Sequence, residues 1–392
     1  MPEPRESVLG RRIRSELARW RDEAQLRVLE SPAGIDLCSN DYLGLAADPR
    51  LKRAAVEAAA EAQSVGSTGS RLLSGNAREW EQLESEFATF AGTEAALYFG
   101  SGYAANTGLL GAILRPGDIV FSDALNHASL IDGIRLSRAV KVIYPHCDLN
   151  FLKRALGERC GEAGAKLIVT ESVFSMEGNV APLDSLGRLA REYGAELVVD
   201  EAHATGVMGP RGRGVAAGVG IVGEAMAIVH TCGKALASAG ALVCCGEGLK
   251  QYLVNRARTF AFSTAMPPFL AGQIRAALEL AEKADDRRAH LQGMASLLRS
   301  ELMARGIGVG TSTTHIVPVF CGSNEAALDV AARLRAHGFA VRAIRPPTVP
   351  AGTARLRLSL NAKISPEELL RVADVIATAF ESLRVQSASV HV

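Results

Sequence analysis

The sequence lacks the features that mark membrane proteins, disulfide-rich secreted proteins and zinc-binding domains. Charge, glycine or asparagine interrupts every apolar run well before the roughly twenty residues that a membrane span needs. The first 14 residues contain no apolar segment of the kind found in secretory signals. The seven cysteines form no C-x-x-C pair and the eight histidines no H-x-x-x-H pair. We therefore expect a cytoplasmic protein with buried, reduced thiols and no metal site.

An excess of one charge sign is also missing. The chain carries 43 basic and 42 acidic side chains, so nothing in its balance favours nucleic acid or a membrane surface as a partner. Apolar residues make up 48% and charged residues 22% of the 392 residues, which is typical of a soluble globular protein. At this length we expect two domains, or one large α/β domain with appendages.

Short apolar runs alternate with helical patterns in the middle of the chain. They cover residues 95–99, 119–121, 140–144, 167–170, 197–199, 228–229 and 241–245. Continuous apolar strands separated by helices predict a mostly parallel sheet that is covered on both faces. Leu9, Ile13, Leu17, Trp20 and Leu26 lie roughly on one stripe of a predicted amphipathic helix within residues 8–30.

The pattern changes at about residue 284. Helix candidates at 287–305 and 324–337 flank strand-like segments at 316–320 and 355–360, which predicts a smaller α+β domain. We therefore expect an N-terminal helix and arm over residues 1–45, a large domain over 46–284 and a small C-terminal domain over 285–392.

A lysine and an aspartate follow two of the predicted strands. Asp200 comes directly after the apolar run 197–199, and Lys234 follows the run at 228–229 after a turn at Gly233. A carboxylate at a strand end can keep a pyridine nitrogen protonated, and a lysine amine can form an imine with an aldehyde. A lone lysine is usually a solvated surface charge, but this pairing predicts a pyridoxal phosphate (PLP) site.

A glycine turn, GSGYAAN over residues 100–106, leads from the strand at 95–99 into a helical pattern. Free backbone N–H groups and the positive end of a helix dipole suit such a turn to a phosphate. A plain strand-to-helix turn is an equal alternative for this motif alone. A nucleotide also stays open on the glycines, although no acidic strand end with a ribose role follows about twenty residues later.

Further polar residues follow other predicted strands. His127 comes after the strand at 119–121, where a capping role is the common alternative. The segment 171–178 and His203 lie at the carboxyl ends of strands, the edge at which open α/β sheets bind ligands. Each residue alone would more often be a helix cap. Their combination indicates one cofactor site, in which the flat ring of His127 favours stacking on PLP.

These residues resemble those of the α-oxoamine synthases, a family of fold-type I PLP-dependent enzymes. The similarity extends from about residue 26 to about residue 370 and rests on the segments SNDYLG (39–44), GSTGSRLLSGN (66–76), NHAS (126–129), DEAH (200–203) and TCGK (231–234). The resemblance implies an α/β fold, with a large domain whose mostly parallel sheet is flanked by helices and a smaller α+β C-terminal domain. It also implies a PLP-dependent acyltransferase that transfers an acyl group to an amino acid with decarboxylation.

The resemblance implies cofactor roles position by position. Lys234 would form the imine with PLP and act as the base, Asp200 would pair with the ring nitrogen, and His203 would hydrogen-bond the phenolic oxygen. His127 would stack on the ring and assist catalysis. The remaining implied cofactor contacts are Ser175 near the polar edge, and Gly102, Tyr103 and Thr231 at the phosphate. Cys232 stands where we expect a small or aliphatic residue, and it should point away from the site.

The resemblance also implies substrates and a partner. The segment 344–357 favours the branch of the family that joins L-alanine to a pimeloyl group carried by CoA or an acyl carrier protein. Arg357 would bind the alanine carboxylate, Asn40 belongs to the substrate site, and Arg27 and Thr348 match acyl contacts. The remaining matches, Ser263 and Thr264, fall in a segment that reaches the phosphate of the partner subunit, which implies a homodimer with shared active sites.

Three other functions share part of this pattern. A transaminase would use much the same Asp200 and Lys234, but the segment 344–357 and the His127 motif fit the synthases better. A CoA-dependent acyltransferase without PLP would leave Lys234 unexplained. A non-catalytic PLP-binding protein would keep both residues and need no substrate arginines.

Overall fold

Two β-sheets and one short pair of strands organise the chain, which a computed structural model describes over residues 7–389. The strands are β1 Ile35–Asp36, β2 Ala95–Phe99, β3 Ile119–Asp123, β4 Val140–Tyr144, β5 Lys166–Glu171, β6 Glu196–Asp200, β7 Ala227–Thr231, β8 Ala241–Cys245, β9 Ile316–Gly322, β10 Phe339–Ala340, β11 Ala343–Ile344 and β12 Ala354–Ser359. The helices are α1 Val8–Asp22, α2 Pro49–Glu61, α3 Arg78–Ala91, α4 Gly102–Ile113, α5 Ala128–Ser137, α6 Leu149–Glu158, α7 Leu183–Tyr193, α8 Val215–Gly218, α9 Glu247–Arg256, α10 Arg258–Ala261, α11 Phe269–Glu282, α12 Asp285–Ala304, α13 Asn324–Ala336 and α14 Pro366–Ser389.

The large sheet has the strand order β2-β8-β7-β6-β5-β3-β4. All strands from β3 to β7 pair in parallel, whereas β8 runs antiparallel to both of its neighbours. The prediction of a mostly parallel sheet is confirmed. Successive residues enter different apolar clusters, with Val198 and Val120 in one and Val199 and Phe121 in the other. Helices therefore cover both faces, which explains why these strands are almost continuously apolar.

The direction of the strands brings distant segments to one edge. Because β2 and β7 both run antiparallel to β8, the carboxyl end of β2 lies at the same edge as those of β3, β5, β6 and β7. Glu171 ends β5 at this edge, and the chain leaves the other strands into the α4 turn, the α5 cap and the loops that carry His203 and Lys234. This edge is where parallel sheets bind ligands.

A smaller sheet lies in the C-terminal part of the chain. It is antiparallel and has the order β11-β12-β9, and the segments α12, α13 and α14 pack with it or with each other. β1 pairs in parallel with β10, so residues near the N-terminus join the C-terminal part. The smaller α+β unit is as predicted. The two predicted domain boundaries, after residues 45 and 284, stay predictions.

The N-terminal helix departs from its prediction. α1 ends at Asp22, so Leu26 lies beyond it, because Ala24 adopts the left-handed region at φ +53°. The predicted apolar stripe exists, but Leu9, Ile13, Leu17 and Trp20 are 38–60% exposed. The stripe therefore does not pack on the core of this chain.

The cysteines and the search for membrane spans give two further results. All seven thiols are free, but only Cys232, Cys244 and Cys245 are buried, and Cys160 is exposed. The expectation that all are buried was wrong because Cys160 lies in the turn after α6, outside any apolar run. No helix within residues 7–389 is long and apolar enough to cross a membrane.

Candidate active site

A cavity of about 280 Å³ opens at the carboxyl edge of the large sheet. This volume lies near the lower end of the range for small-molecule pockets, roughly 300–1,000 Å³. We call the cavity the lysine pocket, and it is lined by Asn40, Ser101, Gly102, Tyr103, Asn106, His127, Ser129, Glu171, Asp200, Ala202, His203, Thr231, Gly233, Lys234 and Gly240. Most of the predicted cofactor residues therefore meet in one place.

Lys234 follows β7 and is partly buried in the pocket wall. Its Nζ atom lies 2.8 Å from Nε2 of His203. Desolvation of the ammonium lowers the pKa of Lys234 to about 8; the charge of Arg357 acts in the same direction, and Asp200 and Glu171 oppose it. A lysine with this pKa can lose its proton near neutral pH, as attack on an aldehyde requires.

Asp200 ends β6 and is 4% exposed. Its Oδ1 accepts the backbone N–H of Ala202 at 2.8 Å, and its Oδ2 accepts Nδ2 of Asn106 at 2.7 Å. Asn106 also donates to Oγ of Ser129 at 2.9 Å. The sequence interpretation gave Asn106 no role. Its place one turn into α4, after the glycine turn, was the available signal.

His203 is buried between two different partners. Its Nδ1 lies 2.5 Å from the hydroxyl of Tyr42, and its Nε2 faces Lys234. Burial and the charges of Lys234 and Arg357 hold the pKa of His203 well below its ordinary value. His203 is therefore a neutral imidazole that can donate from one nitrogen only.

His127 caps α5 and lines the pocket at the same time. Its Nδ1 accepts the backbone N–H of Ser129 at 3.2 Å and lies 2.8 Å from the Ser129 hydroxyl. A neutral His127 that accepts at Nδ1 carries its proton on Nε2. The capping alternative is thus present in the structure, and stacking on a cofactor ring stays a prediction.

The first turn of α4 lines one end of the pocket. Oγ of Ser101 accepts the N–H of Ala104, and the intrahelical bonds begin with Ala105. The N–H groups of Gly102 and Tyr103 precede that bond at the positive end of the helix. A Cβ atom at Gly102 would lie 2.8 Å from Cγ2 of Thr231, so the turn can approach β7 this closely only with glycine.

Glu171 is a pocket residue to which the sequence interpretation gave no role. It ends β5, is 2% exposed, and its Oε1 has no hydrogen-bond partner among residues 7–389. Burial, reinforced by the charge of Asp200, raises the pKa of Glu171 well above its ordinary value. A polar residue at the end of a buried strand was the available signal.

Arg357 lies behind the pocket wall on β12. Its Nη2 donates to Oδ1 of Asn40 at 3.0 Å, and its Nε donates to the backbone carbonyl of Ser175. Ser175 therefore contacts Arg357 through its main chain, and neither residue lines the lysine pocket. Asn40 is the residue that connects this arginine to the cavity.

The predicted acyl contacts lie together at a second cavity. Nη2 of Arg27 donates to Oγ1 of Thr348 at 2.9 Å, although the two are far apart in the sequence. Both line a cavity of about 410 Å³ that also includes Arg345, Arg335 and Arg342. The remaining predicted residues, Ser263 and Thr264, are exposed just after α10 and line neither cavity.

The lysine pocket fits PLP by its donor set. It combines a carboxylate held by two N–H donors, a lysine amine, a neutral histidine and a helix N-terminus. Oε1 of Glu171 and Oδ1 of Asn106 are buried without a hydrogen-bond partner among the described residues. Unpaired buried polar atoms are costly, so these two indicate a ligand with polar edges.

A second polar group lies outside the pocket, and we call Asp123, His146 and Cys147 the Asp123 cluster. Their ligand-type atoms all lie within 4.8 Å of one another. Oδ1 of Asp123 lies 2.9 Å from Nδ1 of His146, and Oδ2 accepts the backbone N–H of Cys147 at 2.9 Å. Burial alone would lower the pKa of His146, but the hydrogen bond and charge of Asp123, aided by Cys147, raise it to about 10. An imidazolium opposes a cation, so we assign a hydrogen-bonded ion pair and propose no metal.

The chain is similar to proteins of one family along nearly its whole length. The family model for class I and II aminotransferases matches residues 32–376. A protein of Geobacter sulfurreducens named 8-amino-7-oxononanoate synthase is 46% identical over 392 residues, covering 96% of this chain and all of the relative. The structure of Sphingomonas wittichii serine palmitoyltransferase has a TM-score of 0.89 at 29% identity, over 97% of this chain and 100% of that one. That of 8-amino-7-oxononanoate synthase from Francisella tularensis has a TM-score of 0.78 at 30% identity, over 90% and 99%.

Proposed function

The chain belongs to the class I and II aminotransferase family and, within it, to the α-oxoamine synthases, and from this premise we propose that it joins L-alanine to a pimeloyl thioester. The products would be 8-amino-7-oxononanoate, CO2 and the free thiol of CoA or an acyl carrier protein, in a step of biotin synthesis. The chain is thus a PLP-dependent acyltransferase. The observation that carries the choice of substrates is the 46% identity with a protein of that name over almost the whole chain.

The lysine pocket supplies a residue for each part of the cofactor. Lys234 would hold the aldehyde carbon, Asp200 the ring nitrogen, and the N-terminus of α4 the phosphate. When bound, PLP supplies an electron-withdrawing ring that stabilises negative charge at Cα of the amino acid. Asn106 keeps Asp200 oriented through its 2.7 Å hydrogen bond, so it would act as a positioning residue.

Proton transfer at Cα would depend on Lys234. Its Nζ must be neutral to accept the Cα proton, and the pKa of about 8 leaves a useful neutral fraction near pH 7. His127 would donate from Nε2 to the oxygen that becomes negative when the thioester carbon is attacked, because its Nδ1 is already occupied by Ser129.

The two substrates would be held by different arginines. Arg357 is buried, and its contact with Asn40 is the route by which it would meet a carboxylate in the lysine pocket. The cavity at Arg27 and Thr348 contains several arginines and suits an anionic acyl donor. These assignments follow the family resemblance. The contacts of Arg357 with Asn40 and of Arg27 with Thr348 support them.

We also propose that the enzyme is a homodimer in which each site contains residues of both chains. Ser263 and Thr264 are exposed and line neither cavity of their own chain. Tyr103, at the phosphate end of the pocket, is 45% exposed. A partner chain that placed two hydroxyl groups against this end would complete the anion site.

The test is an assay of thiol release and CO2 release with a panel of amino acids and acyl thioesters. L-Alanine with pimeloyl-CoA, or with the pimeloyl carrier protein, should release thiol and CO2 in equal amounts. Another α-oxoamine synthase, glycine C-acetyltransferase, is the alternative function, and it would be indicated by glycine with acetyl-CoA as the preferred pair. Amino-group transfer without thiol release would contradict the proposal and indicate a transaminase.

A further inference from the structure

Tyr42 lies outside the lysine pocket and connects Arg357 with His203. It belongs to the segment between β1 and α2 and is completely buried. Its hydroxyl oxygen lies 2.5 Å from Nδ1 of His203, 2.9 Å from Oδ1 of Asn40 and 3.3 Å from Nη2 of Arg357. Through this one atom the predicted carboxylate-binding arginine meets the histidine that faces Lys234.

The neighbours restrict where the hydroxyl proton can be. Arg357 can only donate, so the Tyr42 oxygen must accept from it. The Asn40 oxygen can only accept, and it takes Nη2 of Arg357 at 3.0 Å as well as the hydroxyl of Tyr42. His203 can donate or accept at Nδ1, depending on its tautomer. The hydroxyl therefore has two arrangements, one donating to Asn40 and one donating to His203.

The protonation state of Lys234 favours one of these two arrangements. A protonated Lys234 is only a donor, so Nε2 of His203 must accept at 2.8 Å and the imidazole proton must be on Nδ1. Nδ1 then donates to the Tyr42 oxygen, and the hydroxyl donates to Asn40. If an acceptor faces Nε2 instead, the hydroxyl can turn and donate to Nδ1, while Asn40 keeps its hydrogen bond from Arg357.

We propose that Tyr42 is a positioning residue for the reaction: by accepting from Nδ1 of His203, its hydroxyl stabilises the tautomer whose Nε2 accepts from protonated Lys234. The reference to a reaction rests on the proposed function, but the tautomer does not. The ring of Tyr42 packs against His315 with centroids 4.0 Å apart. A phenylalanine keeps this packing and removes only the hydroxyl.

The test uses nitrogen NMR of the full-length chain, which has eight histidines. His203 is assigned by the signal that disappears in His203→Gln. At pH 6.5 without added cofactor, wild-type His203 should carry its proton on Nδ1. In Tyr42→Phe, Nδ1 has lost its acceptor, so the fraction of His203 with its proton on Nε2 should exceed that of wild type. The excess should be largest above about pH 8, where Lys234 is neutral and can accept from Nε2. Tyr144→Phe is the matched control, because Tyr144 is equally buried and does not line the lysine pocket.

A second readout is the titration of Lys234, one of eight lysines in the chain. With the proton on Nε2, His203 no longer stabilises the ammonium, so the pKa of Lys234 should fall by roughly one unit in Tyr42→Phe. The charged and titratable groups that face Lys234 are the same in wild type and both tyrosine variants: Asp200, Glu171, Arg357, His203, His127 and His315. Carbon NMR of labelled lysine measures this shift, with Lys234→Ala for assignment.

Asn40→Ala provides an independent variant if Tyr42→Phe does not fold. Without the Asn40 oxygen, the Tyr42 hydroxyl is free to donate to Nδ1, so the fraction of His203 with its proton on Nε2 should again rise. The proposal is overturned if this fraction is the same in wild type and in both variants at pH 6.5 and above pH 8. Neither readout needs turnover, so a protein that does not condense alanine would refute the proposed function and leave the role of Tyr42 to the NMR result.

Discussion

His203 in the lysine pocket and His146 in the Asp123 cluster are both packed among polar side chains, yet their proton affinities move in opposite directions. Burial and the neighbouring cations hold the pKa of His203 well below its usual value. His146 is less buried and faces Asp123, which raises its pKa to about 10. The same residue type is thus a neutral hydrogen-bonding group in one place and a structural cation in the other, because the partners differ.

The two regions also respond to pH with opposite sign. The raised pKa of His146 contributes stability that is complete below its unfolded value near 6.5 and is lost as pH rises through about 10. The lowered pKa of Lys234 works the other way. Protonating it in the fold is unfavourable below about pH 8, and this cost is relieved as pH rises toward roughly 10.5. The group that stabilises the fold by its charge and the group that destabilises it therefore lie in separate regions.

The strongest test of the functional side of this comparison is Lys234→Ala. Turnover should fall by several orders of magnitude, because both the covalent contact and the base are lost. PLP should still bind, but its absorbance should lack the band of a lysine imine. The control Lys153→Ala removes an exposed lysine paired with Glu192 and should leave turnover unchanged. Turnover at the wild-type rate in Lys234→Ala would show that Lys234 is neither the covalent contact nor the base.

Asp200→Asn and Asp123→Asn form a matched pair across the two regions. Asp200→Asn removes the charge beside the ring nitrogen, so exchange of the alanine Cα proton in deuterated water should slow by more than roughly tenfold. Asp123→Asn should leave that exchange close to the wild-type rate. Equal exchange in wild type and Asp200→Asn would show that this carboxylate does not support the charge at Cα.

Asp123→Asn should instead affect stability. At pH 6 the imidazolium of His146 loses its carboxylate, and the free energy of unfolding should fall by about 2–3 kcal/mol. The difference from wild type should shrink at pH 10, where His146 loses its proton in both proteins. Urea denaturation at the two pH values measures this. A difference that is the same at both would mean that charge pairing is not the source of the stabilisation.

The last prediction tests whether the phosphate end of the lysine pocket needs residues of a second chain. Ser263→Ala with Thr264→Ala should weaken PLP binding by about 1–3 kcal/mol, because two hydroxyl contacts to an anion disappear. When this double variant is mixed with Lys234→Ala and the subunits exchange, one site of each heterodimer collects both changes and the other is intact. Activity should then return toward roughly a quarter of the wild-type level. No recovery after verified exchange would indicate that each site belongs to a single chain.

Several parts of the fold followed from the sequence directly. The predicted strands at 95–99, 140–144 and 241–245 coincide with β2, β4 and β8. β2 and β8 are buried throughout, as short apolar runs predict, whereas β4 is the edge strand and is mostly exposed. The meeting of Asp200 and Lys234 in one pocket followed from the same pattern. Consecutive parallel strands end at one edge of a sheet, so residues that follow them must lie near one another.

Other features depended on contacts that no local pattern contains. Asn106 meets Asp200 across 94 positions, and Tyr42 meets His203 across 161. The sequence determined which residues stand at the strand ends. Only the tertiary structure decided that Asn106 orients the aspartate, that Tyr42 reaches His203, and that His203 and His146 have opposite proton affinities. Burial and the nearest charge set a side chain's chemistry, and both come from segments far away along the chain.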